Sequence, residues 1–135
     1  MTSGAIMKKI FVLLLLCSAC NWNVDYFNKS YEIGQELKSN IGASMIYVDE
    51  GIYNKPNNII AKGSRIELVY SGREGNVIKV MYREYFYRLG ALYIKDGFTQ
   101  NLQYNLSDGN EIVFQDKKFK IIEANNQFIR FIVLE

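Results

Sequence analysis

From Tyr31 onward the chain alternates short runs of β-branched and aromatic residues with clusters of Gly, Asn, Asp and Ser, the pattern of strands and turns. The clearest strand is Phe98 to Leu106. Phe98, Leu102, Tyr104 and Leu106 point one way, interrupted by Gln100, and Thr99, Asn101, Gln103 and Asn105 point the other. Ser107 to Asn110 then supplies a tight turn. A hairpin follows, Glu111 to Gln115 and Phe119 to Ala124 across Asp116-Lys117-Lys118, and a turn at 125–127 leads into Phe128 to Leu134. That last strand is apolar on nearly both faces, which predicts a central or covered position. Upstream, Arg65 to Tyr70 and Asn76 to Tyr87 flank a Gly-containing loop, Ser71 to Gly75. Ser44 to Val48 and Asn58 to Ala61 are weaker strands around the single proline, Pro56, and Gln35 to Asn40 reads as one helical turn. With no convincing amphipathic helix, the expected fold is all-β: a small antiparallel β-sandwich or barrel of about seven to eight strands, paired mostly between sequence neighbours.

The amino-terminal segment has a different texture. Lys8 and Lys9 precede the apolar run Ile10 to Leu16 and the small residues Cys17, Ser18 and Ala19. Crossing a bilayer takes roughly 20 apolar residues, so this run has the layout of a secretory signal and not of a spanning helix. Met7 is an alternative start to Met1. Residues 7 to 20 resemble the signal of bacterial lipoproteins, whose lipobox ends in a small residue, Ala, Gly or Ser, and the cysteine that is lipidated. Ser18, Ala19 and Cys20 match, and Cys17 stands where Leu is usual. The resemblance implies a diacylglyceryl group on Cys20, cleavage between Ala19 and Cys20, and acylation of the new amino terminus. Two or more acyl chains anchor a protein stably. The alternatives are plain secretion and a Cys17-x-x-Cys20 redox or metal pair, for which the rest of the chain offers no further Cys or His. The expected organisation is a signal peptide at 1–19, the lipidated cysteine and a tether at 20–30, and the all-β domain at 31–135. As a random coil the tether would reach about 18 Å, with Trp22 and Tyr26 suited to the headgroup level.

Charge and composition narrow the function classes. Losing Lys8 and Lys9 with the signal brings the 16 basic residues down to parity with the 14 acidic ones, which argues against nucleic acid as a partner. The chain has no histidine. That excludes Ser-His-Asp and Cys-His catalysis and His-containing zinc sites, and no cofactor or metal is expected. Asp49 and Glu50 are adjacent, so on a strand they point to opposite faces and make a poor hydrolytic pair.

The densest aromatic and charged stretch is Tyr82 to Arg88. On a strand, Tyr82, Glu84, Phe86 and Arg88 share one face, and Arg83, Tyr85 and Tyr87 the other. Exposed, this ladder would suit a peptide or glycan; buried, it would be ordinary strand packing with arginine stems laid over rings. Arg73 and Glu74 sit in the glycine-containing loop, which lacks the Lys-Ser or Lys-Thr end of a phosphate-binding loop but could make contacts as a loop tip. The candidate partner-binding residues are therefore Arg73, Glu74, Tyr82, Arg83, Tyr85, Tyr87 and Arg88. The expected function is a non-catalytic binding or structural adaptor, lipid-anchored in the cell envelope, with an envelope protein, glycan or secreted enzyme as partner. The alternative is an inhibitor of a cell-wall-degrading enzyme such as lysozyme, since some small lipid-anchored β-barrels act this way. By resemblance to lipoprotein sorting signals, Asn21 after Cys20 favours the outer membrane in a two-membrane cell.

Overall fold

A computed structural model describes residues 22–135, so the signal segment and Cys20 lie outside the described residues. The chain is all-β, with nine strands and one 3-10 turn among the described residues: β1 (Asn23–Lys29), β2 (Glu36–Asn40), β3 (Ser44–Asn54), β4 (Ile59–Glu74), β5 (Val77–Arg88), β6 (Ala91–Asn105), β7 (Glu111–Phe114), β8 (Lys117–Ala124) and β9 (Phe128–Val133). They form two antiparallel sheets, ordered β1-β3-β4-β5-β6 and β2-β9-β8-β7. Neither sheet closes on itself, so the architecture is an open sandwich and not a barrel.

The core is the layer between the sheets. Ile46, Val48, Leu68, Tyr70, Ile78, Val80 and Tyr82 of the large sheet meet Ile112, Phe119, Ile121, Ile129, Phe131 and Val133 of the small one. Period-2 alternation explains the choice, because each buried residue is flanked by neighbours on the opposite face. As its apolar faces predict, β9 is central: Ile129, Phe131 and Val133 are fully buried. The Phe119 and Phe131 rings pack 6.1 Å apart in a tilted arrangement.

Several elements differ from the sequence expectation. The supposed tether is, from Asn23 to Lys29, an edge strand that pairs with Val48 to Asn54. Its polar, exposed residues belong to an edge and do not require a flexible linker. Gln35 to Asn40 is not helical, since Glu36–Asn40 pairs with Phe128 to Ile132 and turns Leu37 and Ser39 inward. The Ser71 to Gly75 loop is mostly strand. A bulge after Tyr70 lets β4 run on to Glu74, and Gly75, at φ 58°, begins a tight turn into β5. β1–β3 and β2–β9 are pairings between strands distant in the chain.

The sheets are unequal in length. β4 has 16 residues and β6 has 15, whereas β9 has 6, so the large sheet overruns the small one. The overrun carries the β3–β4 hairpin tip, the β5–β6 turn and the start of β1, since Asn23 pairs with Asn54 and Arg88 with Ala91. In this part Gly51 and Gly63 are paired, and their backbones approach too closely for a side chain on either.

Candidate functional site: the open face of the large sheet

Residues paired across antiparallel strands share a face, so register builds the site directly. On the face of the large sheet turned away from the small sheet, Tyr47 pairs with Glu67 and Glu67 with Arg83; the next row is Asp49, Arg65 and Tyr85. Tyr87 follows two residues beyond Tyr85. No second layer of strands covers this face among the described residues.

At its centre is a carboxylate with 1% of its side-chain surface exposed. Asp49 accepts two hydrogen bonds from Arg65, from Nε at 2.6 Å and from Nη2 at 2.9 Å, and a third from the Tyr87 hydroxyl at 3.0 Å. The Arg65 guanidinium also lies 4.0 Å from the Tyr47 ring centre, a cation–π contact. The two-pronged bond to Asp49 holds Arg65 even more firmly protonated than usual, against the opposing effect of burial. Burial first, and then donation to Asp49, push the Tyr87 hydroxyl up to about 12. Beside this cluster the Tyr85 hydroxyl donates to Glu67 at 2.9 Å, and Arg83 Nε approaches the Met81 sulfur at 3.2 Å.

The result is a panel of Tyr and Arg side chains in which Arg65 and Tyr87 are fixed through Asp49, Tyr85 through Glu67, and the Tyr47 ring lies against Arg65. Such a panel presents flat rings, guanidinium edges and backbone-fixed geometry to a peptide or sugar while giving up little side-chain freedom on contact. Asp49 is committed to Arg65 and Tyr87, and Glu50 turns to the other face beside Ser64, so the two carboxylates do not face one another.

No family model matches the chain. No curated protein and no solved structure matches it significantly either. The functional reading therefore rests on the molecule's own geometry.

The candidate residues named from sequence do not form one site. Arg73 and Glu74 lie at one end of the β4–β5 hairpin and Arg88 at the other, roughly 35 Å away along a 12-residue strand. Arg73 is a structural fastener: its guanidinium donates to Gly75 O at 2.6 Å and Ala124 O at 3.1 Å, and its backbone N–H donates to Asn126 Oδ1. Glu74 is exposed and accepts from Lys79 at 2.6 Å, which holds its carboxyl below the usual range. Tyr82 belongs to the core, with its ring against Phe114 and its hydroxyl donating to Glu84. Arg83, Tyr85 and Tyr87 share the open face, and Arg88 is exposed on the other face of the overrun.

Sequence reasoning missed Tyr47, Arg65 and Glu67, and weighed Asp49 as one half of a poor hydrolytic pair and not as the centre of this cluster. A signal was present: Tyr47 and Asp49 alternate with Ile46 and Val48, and Arg65 and Glu67 with Ile66 and Leu68. Only the β3–β4 register puts those two polar stripes side by side.

The overrun holds a second group of exposed side chains. On the face turned toward the small sheet, one row crosses all five strands as Phe27, Glu50, Ser64, Phe86 and Tyr93. The Phe86 and Tyr93 rings stack 5.5 Å apart and, with Arg88, Leu89 and Ala91, line a cleft of about 330 Å³. Leu89 and Gly90 form the turn with φ of 49° and 81°. A leucine in that left-handed conformation costs about 1–2 kcal/mol, where Asn or Gly would sit easily. Its side chain is nevertheless 77% exposed.

Proposed function

We propose that the protein is a lipid-anchored lipoprotein of a bacterial envelope. Its β-domain is a non-catalytic adaptor that binds another envelope or secreted component through the open face of the large sheet. The observation that carries this reading is the uncovered Tyr47–Arg65–Tyr85–Tyr87 panel, set on the three strands β3, β4 and β5 and fixed by the buried Asp49 carboxylate and by Glu67. The signal-like amino terminus with Ser18, Ala19 and Cys20 supports the anchor.

The intact mass of the protein from its own membrane fraction, beside a Cys20→Ser variant, tests the anchor. A chain beginning at Cys20 with diacylglyceryl and acyl additions, absent from the variant, is expected. Capture of envelope components by the Arg83→Gln/Tyr85→Phe variant tests the face. Reduced capture at unchanged melting temperature supports it, and undiminished capture overturns it. Inhibition of lysozyme turnover by the unlipidated domain would favour an inhibitor over an adaptor.

A further inference from the structure

The end of the domain that receives the chain from Cys20 is also where the large sheet overruns its cover and exposes aromatic and aliphatic side chains. Trp22 follows Cys20 by two residues, a span of at most about 7 Å. It is already pinned: the Trp22 carbonyl accepts from Lys55 N at the β3–β4 tip at 3.0 Å. The expected flexible tether is replaced by β1, so little chain separates the proposed anchor from the folded sheet. The β5–β6 turn is fastened beside that tip by Leu89 N to Ala61 O and Gly90 N to Ile60 O.

Trp22 (61% exposed), Phe27 (63%) and Leu89 (77%) are exposed there, together with Ile52, Phe86 and Tyr93. Leu89 keeps its apolar side chain in water at a turn position that favours Asn or Gly, so neither local conformation nor core packing accounts for it. Register places Lys62 and Arg88 in one row with Asp25 and Ile52, Lys55 at the hairpin tip and Glu50 beside Phe27, while Glu84 and Lys95 pair with one another, a balance that does not repel an anionic surface. Amphipathic rings and long basic side chains are the equipment of a protein surface seated at lipid headgroups.

We propose that this end of the large sheet docks on the bilayer surface, with Trp22, Leu89 and the Phe86–Tyr93 cleft in the headgroup layer. The anchor then sets orientation as well as location: the sheet stands on its β3–β4 and β5–β6 tips, and the Glu74–Gly75 turn points away from the membrane. This inference rests on the lipid-anchor reading.

The test uses the lipidated full-length protein, its mass verified, in phosphatidylglycerol–phosphatidylcholine vesicles with brominated acyl chains. With Cys20 blocked by lipid, a bimane probe is attached through Leu89→Cys or, at the far end, Glu74→Cys. Quenching by the brominated lipid is expected to be about threefold greater at 89 than at 74. A reporter at Lys55→Cys should lose about half its quenching when Leu89→Asn and Tyr93→Ser are added, while the acyl chains still retain the protein on the vesicle. Equal quenching at 89 and 74, or an unchanged Lys55→Cys signal in the double variant, overturns the docking and leaves the anchor standing. A native chain without lipid overturns the anchor and the docked orientation with it.

Discussion

Gly51 and Gly63 face each other across β3 and β4 with their Cα atoms nearly in contact. A Cβ on Gly51 would lie 2.3 Å from Lys62 O, and one on Gly63 would lie 2.2 Å from Glu50 O. Backbone is the obstacle in both cases, so no rotamer change relieves it. Gly63→Ala should therefore force the strands apart and destabilise the domain by about 2–4 kcal/mol. Urea unfolding measures this. Gly97→Asn is the control, because nothing lies within 4 Å of a Cβ at Gly97 and only the left-handed φ of 80° opposes the change; Asn bears that conformation better than most side chains, so a cost of about 1 kcal/mol or less is expected there. Equal effects at the two glycines would refute the close-approach argument.

Asp49 and Arg65 make the polar interaction whose removal should be felt most. Asp49→Ala strands the Arg65 guanidinium and the Tyr87 hydroxyl, and breaking such a pair costs about 3 kcal/mol. Because Arg65 is 23% exposed and can turn toward water, Arg65→Met should be the worse change, leaving a carboxylate with 1% exposure without its counter-ion and held by the Tyr87 hydroxyl. The double variant should lose clearly less than the sum of the two, as measured in a double-mutant cycle. Additivity would show that the pair is not coupled.

Alkaline pH should weaken the fold through its tyrosines. Burial, reinforced by the contact with Glu84, pushes the Tyr82 hydroxyl up to about 12, and Tyr87 is raised to about 12 by burial and by Asp49. Unfolded tyrosine ionises near 10.0. The neutral hydroxyl is thus favoured in the folded state. Its contribution is fully present below pH 10, declines as pH rises, and is gone above about 12. Urea midpoints at a series of alkaline pH values, followed beside tyrosinate absorbance, should fall across that window. Tyr87→Phe should flatten the decline, and an unchanged slope would remove Tyr87 from the account.

Depth in the sandwich should grade core substitutions. Phe131, fully buried at the centre of β9, should cost about 3–5 kcal/mol on conversion to Ala, whereas Val113→Thr at the exposed surface of β7 should cost about 0.5 kcal/mol or less. Thermal melting with a two-state check measures both. A mild effect at Phe131 would mean that the two sheets do not share one cooperative core.

The parts of the fold legible in sequence were those whose determinants are local. The hairpin of β7 and β8 shows alternating Ile112, Phe114, Phe119 and Ile121 around a polar turn, and the apolar run 128–134 announces a central strand. β1 and β2 were obscure because edge strands carry polar residues, and their identity lies in distant partners: Asn28 pairs with Asp49, and Leu37 with Phe131. The Tyr-Arg stretch was conspicuous, but parity divided it between the core, where Tyr82 went, and the open face, where Tyr85 and Tyr87 went. Asp49 and Arg65 stand 16 residues apart, and only register makes them neighbours.

The pairing of β2 with β9 also imposes an order of assembly. Arg130 binds Glu36 across 94 residues of chain. During synthesis, β3 to β6 can assemble from neighbouring hairpins and β1 can join β3 across the intervening β2, but β2 must wait for a partner that emerges after β3 to β8. Until β8 and β9 arrive, the large sheet bares Ile46, Leu68, Tyr70 and Val80 to its surroundings. The domain therefore completes its core only after almost all of its residues have left the ribosome or translocon. A holding factor that shields that face should speed recovery of native protein more than one that acts on the hairpins.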